Sequence, residues 1–214
     1  VSAWTYAGAG FERVTALDPC EGYWLNLSVG GTYQIAGVTM GECTTTLPAG
    51  WSMVGAPAGG LGVNAIEQTP PANVISVFAY ESGYTLADRL ESGDGYWVQL
   101  RQAGQLRMVG GQPNGAARVA AEWPSVDGLP VLWARSPQAR QSLWLGVAPA
   151  QVRALPPAPP GGGFDVRAIV AGEGTWFVPE GTAGEQFPLR LQGGVDELGW
   201  QLPPGEASRW VLWV

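Results

Sequence analysis

The chain contains no histidine, and it contains no lysine, since all 11 of its basic residues are arginine. These two absences remove much of enzyme chemistry. Without histidine there is no Ser-His-Asp triad, no Cys-His pair and no His-ligated zinc. Without lysine there is no Schiff-base amine and no Lys–Asn isopeptide cross-link. Cysteine is scarce, with only Cys20 and Cys43. They are either two buried thiols or one bridge. The bridge is the preferred reading; it stabilises by about 3 kcal/mol in the loop-entropy model and implies an oxidising compartment. Long apolar runs are missing as well. No span of about 18 apolar residues is present to insert into a membrane, and no signal peptide is visible. The chain opens at Val1 inside a strand pattern, so a leader or a longer precursor is expected to have been removed. Positive charge is short too. With 18 carboxylates against 11 arginines the net charge is -7, which argues against nucleic acid and anionic membrane surfaces as partners.

What the chain has in plenty is glycine and proline, 32 and 18 residues. They interrupt the sequence every few positions and leave little room for helices of ten residues or more. Short strands joined by turns fit this punctuation. With 46% hydrophobic residues a core can be buried, so the expected fold class is all-β.

The strongest pattern is internal self-similarity. Val1-Ser2-Ala3-Trp4-Thr5-Tyr6 reads like Ile75-Ser76-Val77-Phe78-Ala79-Tyr80, and Gly10-Phe11 like Gly83-Tyr84. Leu17-Asp18-Pro19-Cys20-Glu21-Gly22-Tyr23-Trp24-Leu25-Asn26-Leu27 matches Leu90-Glu91-Ser92-Gly93-Asp94-Gly95-Tyr96-Trp97-Val98-Gln99-Leu100. Tyr33 to Gly37 then answers Leu106 to Gly110. The offset is about 73 residues, with one inserted residue near the first turn. Each unit reads as strands: a β-branched and aromatic segment, a turn, and a Gly-Tyr-Trp strand suited to a pleated, half-buried surface. Packing is the default role of these aromatics.

The motifs Ala49-Gly50-Trp51-Ser52-Met53-Val54-Gly55-Ala56-Pro57, then Val77-Phe78-Ala79-Tyr80, then Leu90 to Val98 carry a resemblance. They are similar to the "GWNLVGxP … VYxYxxGY … LxPGxGYWV" repeats of large secreted and cell-surface proteins of bacteria. The resemblance covers residues 1 to about 110. It implies an extracellular β-rich structural or adhesive unit near the C-terminal end of a long polypeptide, and it carries no catalytic residue. One departure stands out. The second unit opens with the strand Trp51 to Val54, and the first has no counterpart, because Val1 already corresponds to Ile75. That opening strand is expected before residue 1. A unit short of one strand exposes backbone groups that recruit another strand, and the acceptor edge is placed along Val1, Ala3, Trp4 and Tyr6.

Beyond residue 115 the repeat stops. Strands are expected at Pro130 to Ala134, Ser142 to Val147, Phe164 to Val170, Thr175 to Val178, Phe187 to Gln192, Leu198 to Leu202 and Arg209 to Val214. Phe164, Val166 and Ala168 alternate with Asp165 and Arg167, the period of two of a sandwich strand. Pro188 marks an edge strand. The Pro-rich run from Leu155 to Gly163 is read as a crossover inside the domain rather than a linker. The order Leu143 to Val147, Pro156 to Gly163, Phe164 to Arg167 resembles the "LxLGV … PPxPPxGxFDVR" sandwich that follows such repeats. The expected organisation is thus a two-unit β-repeat domain over residues 1–114 (units about 1–48 and 49–114) and an immunoglobulin-like β-sandwich over 115–214. The terminal Trp210-Val211-Leu212-Trp213-Val214 is either a strand buried on both faces or a strand that inserts into a neighbouring molecule.

No catalytic constellation, phosphate loop or dinucleotide fingerprint appears, so no cofactor is expected. Asp88, Glu91 and Asp94, with Asp18 and Glu21 in the first unit, have oxygen ligands that suit calcium, but turn acids are ordinarily solvated and no EF-hand loop surrounds them. Eleven tryptophans make glycan stacking a competing role, with Trp51, Trp123, Trp176 and Trp200 the least constrained. The sequence therefore points to a non-enzymatic protein of the bacterial cell surface. Its expected partners are other copies of itself joined head-to-tail, other surface proteins, or a glycan.

Overall fold

Glycine and proline leave room for strands and single helical turns, and these are what form. The computed structural model describes residues 2–6, 8, 10–27, 29, 36–113, 125–181 and 185–203. Among them the architecture is all-β; the helical pieces are three 3-10 turns, Val63–Ala65, Pro149–Gln151 and Pro160–Gly162. The chain divides into two compact units, Val1–Ala121 and Glu122–Val214. The domain boundary expected at 114/115 falls outside the described residues.

The N-terminal unit contains β1 (Ser2–Tyr6), β2 (Phe11–Val14), β3 (Trp24–Asn26), β4 (Glu42–Leu47), β5 (Gly50–Gly55), β6 (Leu61–Gly62), β7 (Glu67–Thr69), β8 (Val74–Tyr80), β9 (Tyr84–Leu86), β10 (Arg89–Leu90), β11 (Gly95–Leu100) and β12 (Gly104–Val109). They form sheets in the orders β2-β1-β3, β5-β11-β8-β9 and β4-β12-β7, plus a short β10-β6 ladder. The residues that align in sequence also pair alike. β1 meets β3 at Ser2↔Asn26, Ala3↔Leu25 and Trp4↔Trp24, while β8 meets β11 at Ser76↔Gln99, Val77↔Val98 and Phe78↔Trp97. On the other side Tyr6 faces Phe11 as Tyr80 faces Tyr84. The inserted residue is absorbed by the turn between β1 and β2, so the ladder register is kept.

Alternation along β8 and β11 sends two sets of side chains to opposite faces. Val77, Val98 and Leu100 go to an aliphatic core that they share with Leu106 and Met108 of β12 and Cys43 of β4. Phe78 and Trp97 go to an aromatic layer on the other face. There Tyr6 stands edge-on to Trp97 with ring centroids 5.0 Å apart, and Trp24 stands edge-on to Tyr80 at 4.6 Å. These two contacts join aligned residues crosswise, each Trp of one repeat against the Tyr of the other. The T-shaped geometry is the one aromatic quadrupoles favour. The indole nitrogens of Trp24 and Trp97 are both buried without a hydrogen-bond partner, so packing holds these rings.

The C-terminal unit contains β13 (Val131–Arg135), β14 (Arg140–Val147), β15 (Asp165–Val170), β16 (Glu173–Thr175), β17 (Phe177–Pro179), β18 (Leu189–Gln192) and β19 (Glu197–Gln201). Their sheets run β17-β14-β13-β19 and β16-β15-β18. Leu132, Ala134, Leu143 and Val178 from the first sheet share one core with Val166 and Ala168 from the second. The segment Thr175 to Val178 is not one strand as expected. It breaks at Trp176, so that Thr175 stays beside β15 while Phe177 crosses to pair in parallel with Trp144. Pro188 lies just before β18, an edge strand, as its missing N–H requires. The expected strand Arg209 to Val214 lies outside the described residues.

Asp165 and Arg167 do face away from that core, but they are not solvated. They are 3% and 5% exposed, and Arg167 donates to both carboxylate oxygens of Asp165 at 2.6 and 2.7 Å. The Pro-rich run covers them. Arg167 also donates to the Pro156 carbonyl at 2.7 Å, Gln192 Nε2 donates to the Pro159 carbonyl at 2.7 Å, and the Leu155 amide donates to the Gly174 carbonyl at 2.8 Å. The run is an intradomain crossover laid against the outer face of β15.

Candidate functional site

The turns that lead into β3 and β11 are built alike. In the first, the Asp18 amide donates to the Tyr23 hydroxyl oxygen at 2.8 Å; in the second, the Glu91 amide donates to the Tyr96 hydroxyl oxygen at 2.7 Å. The Tyr23 hydroxyl in turn donates to Glu21 at 2.8 Å. Burial, the largest cause, pushes the Tyr23 hydroxyl up to about 12 and raises that of Tyr96 as well. Both hydroxyls therefore stay protonated and tie off their turns. At the turn apex Gly93 has φ 94°, and the aligned residue in the first turn, Cys20, has φ 71°.

Cys20 is disulfide-bonded to Cys43, with the Cα atoms 5.5 Å apart. Cys43 was expected to belong to the first repeat, but its strand β4 pairs with β12. The bridge therefore ties the first turn to the aliphatic core of the second repeat. Backbone contacts reinforce it. The Gly55 amide donates to the Cys20 carbonyl at 2.9 Å, and Glu21 bridges Val54. A Cβ on Gly22 would stand 2.8 Å from the Val54 oxygen, so only glycine permits this approach.

The first turn thus holds β3 in a defined place, and the outer side of β3 is where the two repeats differ. β11 pairs with β8 on one side and with β5 on the other; β3 pairs with β1, and no described strand pairs with its other side. The face of this small sheet that points away from the aromatic layer is also uncovered. Leu90, Val98 and Leu100 are 0%, 0% and 2% exposed, whereas the aligned Leu17, Leu25 and Leu27 are 38%, 43% and 37% exposed. Val29, Val38 and Met40 lie exposed in the same stretch of chain. An unpaired strand edge beside an apolar stripe is the combination that accepts an added strand: main-chain bonds supply affinity, and alternate side chains supply selectivity.

The expected acceptor edge needs correction. Ala3, Trp4 and Tyr6 lie on β1, which is paired with β2 on one side and β3 on the other, so their backbone groups are already engaged. Val1 lies outside the described residues. The missing strand belongs beside β3, because β3 aligns with β11 and β11 is the strand that contacts β5. The expected donor residues Trp210, Val211, Leu212, Trp213 and Val214 also lie outside the described residues.

The other candidates are dispersed. Among the described residues no group of three or more carboxylates and cysteines is placed to hold a metal ion. Glu91 pairs instead with Arg89 at 2.8 Å. Of the tryptophans considered for glycan stacking, Trp51 sits in the aromatic layer against Phe78 and Trp97, Trp176 is buried, Trp200 is 53% exposed, and Trp123 lies outside the described residues. Sequence reasoning missed the buried Asp165–Arg167 pair; the proline run beside an alternating Asp-Val-Arg strand was the available signal. The chain matches no protein-family model, no curated protein and no solved structure.

Proposed function

We propose that this is a non-catalytic structural and assembly protein of the bacterial cell surface. It works outside the cell and joins neighbouring polypeptide by strand addition. In this reading residues 1–48 and 49–114 are two units of a β-repeat, residues 115–214 form an immunoglobulin-like sandwich, and the first unit is the acceptor. One observation carries the reading: the sheet β2-β1-β3 has the pairing register of β9-β8-β11 and lacks the counterpart of β5. The Cys20–Cys43 bridge is compatible with an oxidising compartment. If the all-apolar segment Trp210 to Val214 of one copy is the donor, the contact is head-to-tail and does not close on itself, which makes a fibre.

Sedimentation velocity and negative-stain electron microscopy across a concentration series test this. The protein is expected to form oligomers or filaments that grow with concentration. Leu25→Lys with Leu27→Lys, which places charge beside the open edge, should suppress them. A protein that stays monomeric at millimolar concentration, alone and with other surface proteins, overturns the reading. Glycan adhesion is the weaker reading, because Trp200 is a single exposed ring and stacking platforms are built from several.

A further inference from the structure

The second repeat shows what its own edge strand looks like, and so what the first repeat is shaped to receive. β5 has the sequence Gly50-Trp51-Ser52-Met53-Val54-Gly55 and lies antiparallel to β11 with Gln99↔Trp51, Val98↔Ser52 and Trp97↔Met53. Its side chains divide between the two faces of the sheet. Trp51 extends the aromatic layer, edge-on to Phe78 at 5.8 Å and to Trp97 at 6.3 Å. Val54 enters the aliphatic core and is fully buried. The residues of β3 and β1 that align with this receiving surface are chemically similar: Trp24 for Trp97, Leu25 for Val98, Asn26 for Gln99, and Trp4 for Phe78.

From this match, and resting on the assembly reading above, we infer that the open side of β3 binds an extended peptide of the Gly-Trp-small-apolar-Val-Gly type. It binds antiparallel and in one register, with its Trp opposite Asn26 and its small residue opposite Leu25. The occupant is the opening strand of another repeat of this kind. The incoming Trp packs on Trp4 and Trp24. Its Val falls on the side of Leu25, where it covers apolar surface that β5 covers in the second repeat. Register is set by the alternation, because a slip of one residue sends the Trp to the aliphatic side and the Val to the aromatic side.

The probe is a synthetic peptide of residues 49–57, added to the full-length protein. Saturable binding by calorimetry and a rise in melting temperature with peptide concentration are expected, with neither for a scrambled peptide. Register is read by cross-linking. Both native cysteines are engaged with each other, so Asn26→Cys supplies the one free thiol. Peptides carrying Cys in place of Trp51, Ser52 or Met53 are compared. The Trp51 position should form a disulfide at least about tenfold faster than the other two, because only directly opposed residues bring their Cβ atoms within bridging distance. Equal rates at the three positions, or equal binding of the scrambled peptide, overturn the inference. Binding of a peptide of residues 209–214 but not of residues 49–57 also overturns it, while leaving the assembly reading intact. Failure of both peptides together with a strictly monomeric protein overturns both. The calorimetric arm uses the unaltered protein, so a folding defect in Asn26→Cys leaves the test decisive.

Discussion

At Cys20 the backbone adopts φ 71°, a left-handed conformation that costs a residue with a Cβ about 1–2 kcal/mol. The aligned turn in the second repeat places Gly93 there at φ 94° and avoids that cost. The first repeat holds the same turn with a cysteine because the side chain is needed for the bond to Cys43. Two effects can be separated. Cys20→Ala/Cys43→Ala loses the bridge, which closes a separation of 23 residues and contributes about 3 kcal/mol by loop entropy. Cys20→Gly/Cys43→Ala loses the same bridge but relaxes the turn, so it should be the more stable of the two by about 1 kcal/mol. Chemical denaturation of both variants checks the order; a Gly variant no more stable than the Ala variant would show that the turn is not held in this conformation. The bridge was legible as one of two readings from the presence of two cysteines. The strained backbone was not, because φ at a turn apex depends on where both ends of the turn are anchored.

Among the elements, β15 shows how a short pattern can be read correctly and still understate its surroundings. The alternation of Phe164, Val166 and Ala168 with Asp165 and Arg167 placed the apolar residues on the core side. That the other face would also be buried was hidden. Extended proline segments make no internal hydrogen bonds, so nothing within the run itself records what it lies against. The covering bonds, such as Arg167 to the Pro156 carbonyl, join residues 11 apart in the chain. Covering the strand leaves a buried ion pair whose parts are costly to separate. Asp165→Leu alone, or Arg167→Met alone, should lower unfolding free energy by about 3–5 kcal/mol, and the double variant should recover most of that loss. Urea melts of the four proteins form a double-mutant cycle. Additive losses would show that the pair does not act as a unit.

At the scale of the whole N-terminal unit, the contrast between aligned apolar residues becomes a measurable asymmetry. Val98→Ser and Leu100→Ser open the aliphatic core and should each cost about 2–5 kcal/mol. Leu25→Ser and Leu27→Ser touch the uncovered face and should each stay within about 0.5 kcal/mol in the dilute monomer. Dye binding to exposed apolar surface should fall in the Leu25/Leu27 pair and not in a destabilised core variant. Thermal melts of the four single variants at low concentration decide it. Losses of equal size at the two sets would mean that the first sheet is already covered by its own chain. The offset of about 73 residues aligned Trp24 with Trp97 and Leu25 with Val98, and it named the strand that has no counterpart. The mistake was in locating the open edge on β1. A linear alignment shows which strand is missing but not which neighbour it leaves unpaired; that depends on sheet order, and in the order β5-β11-β8-β9 it is the last strand of the repeat that contacts the first.

By itself the sequence determined the all-β class, through glycine and proline placed too densely for long helices, and the aligned registers, through alternation that admits one pairing without turning apolar residues to water. It also determined the lack of imidazole and amine chemistry, which depends only on composition. Tertiary structure alone decided which edge is open, which strand Cys43 joins and what covers the far face of β15. Each of these is a contact between segments distant in the chain, and backbone hydrogen bonding and burial can be satisfied by more than one such partner until the whole unit has packed.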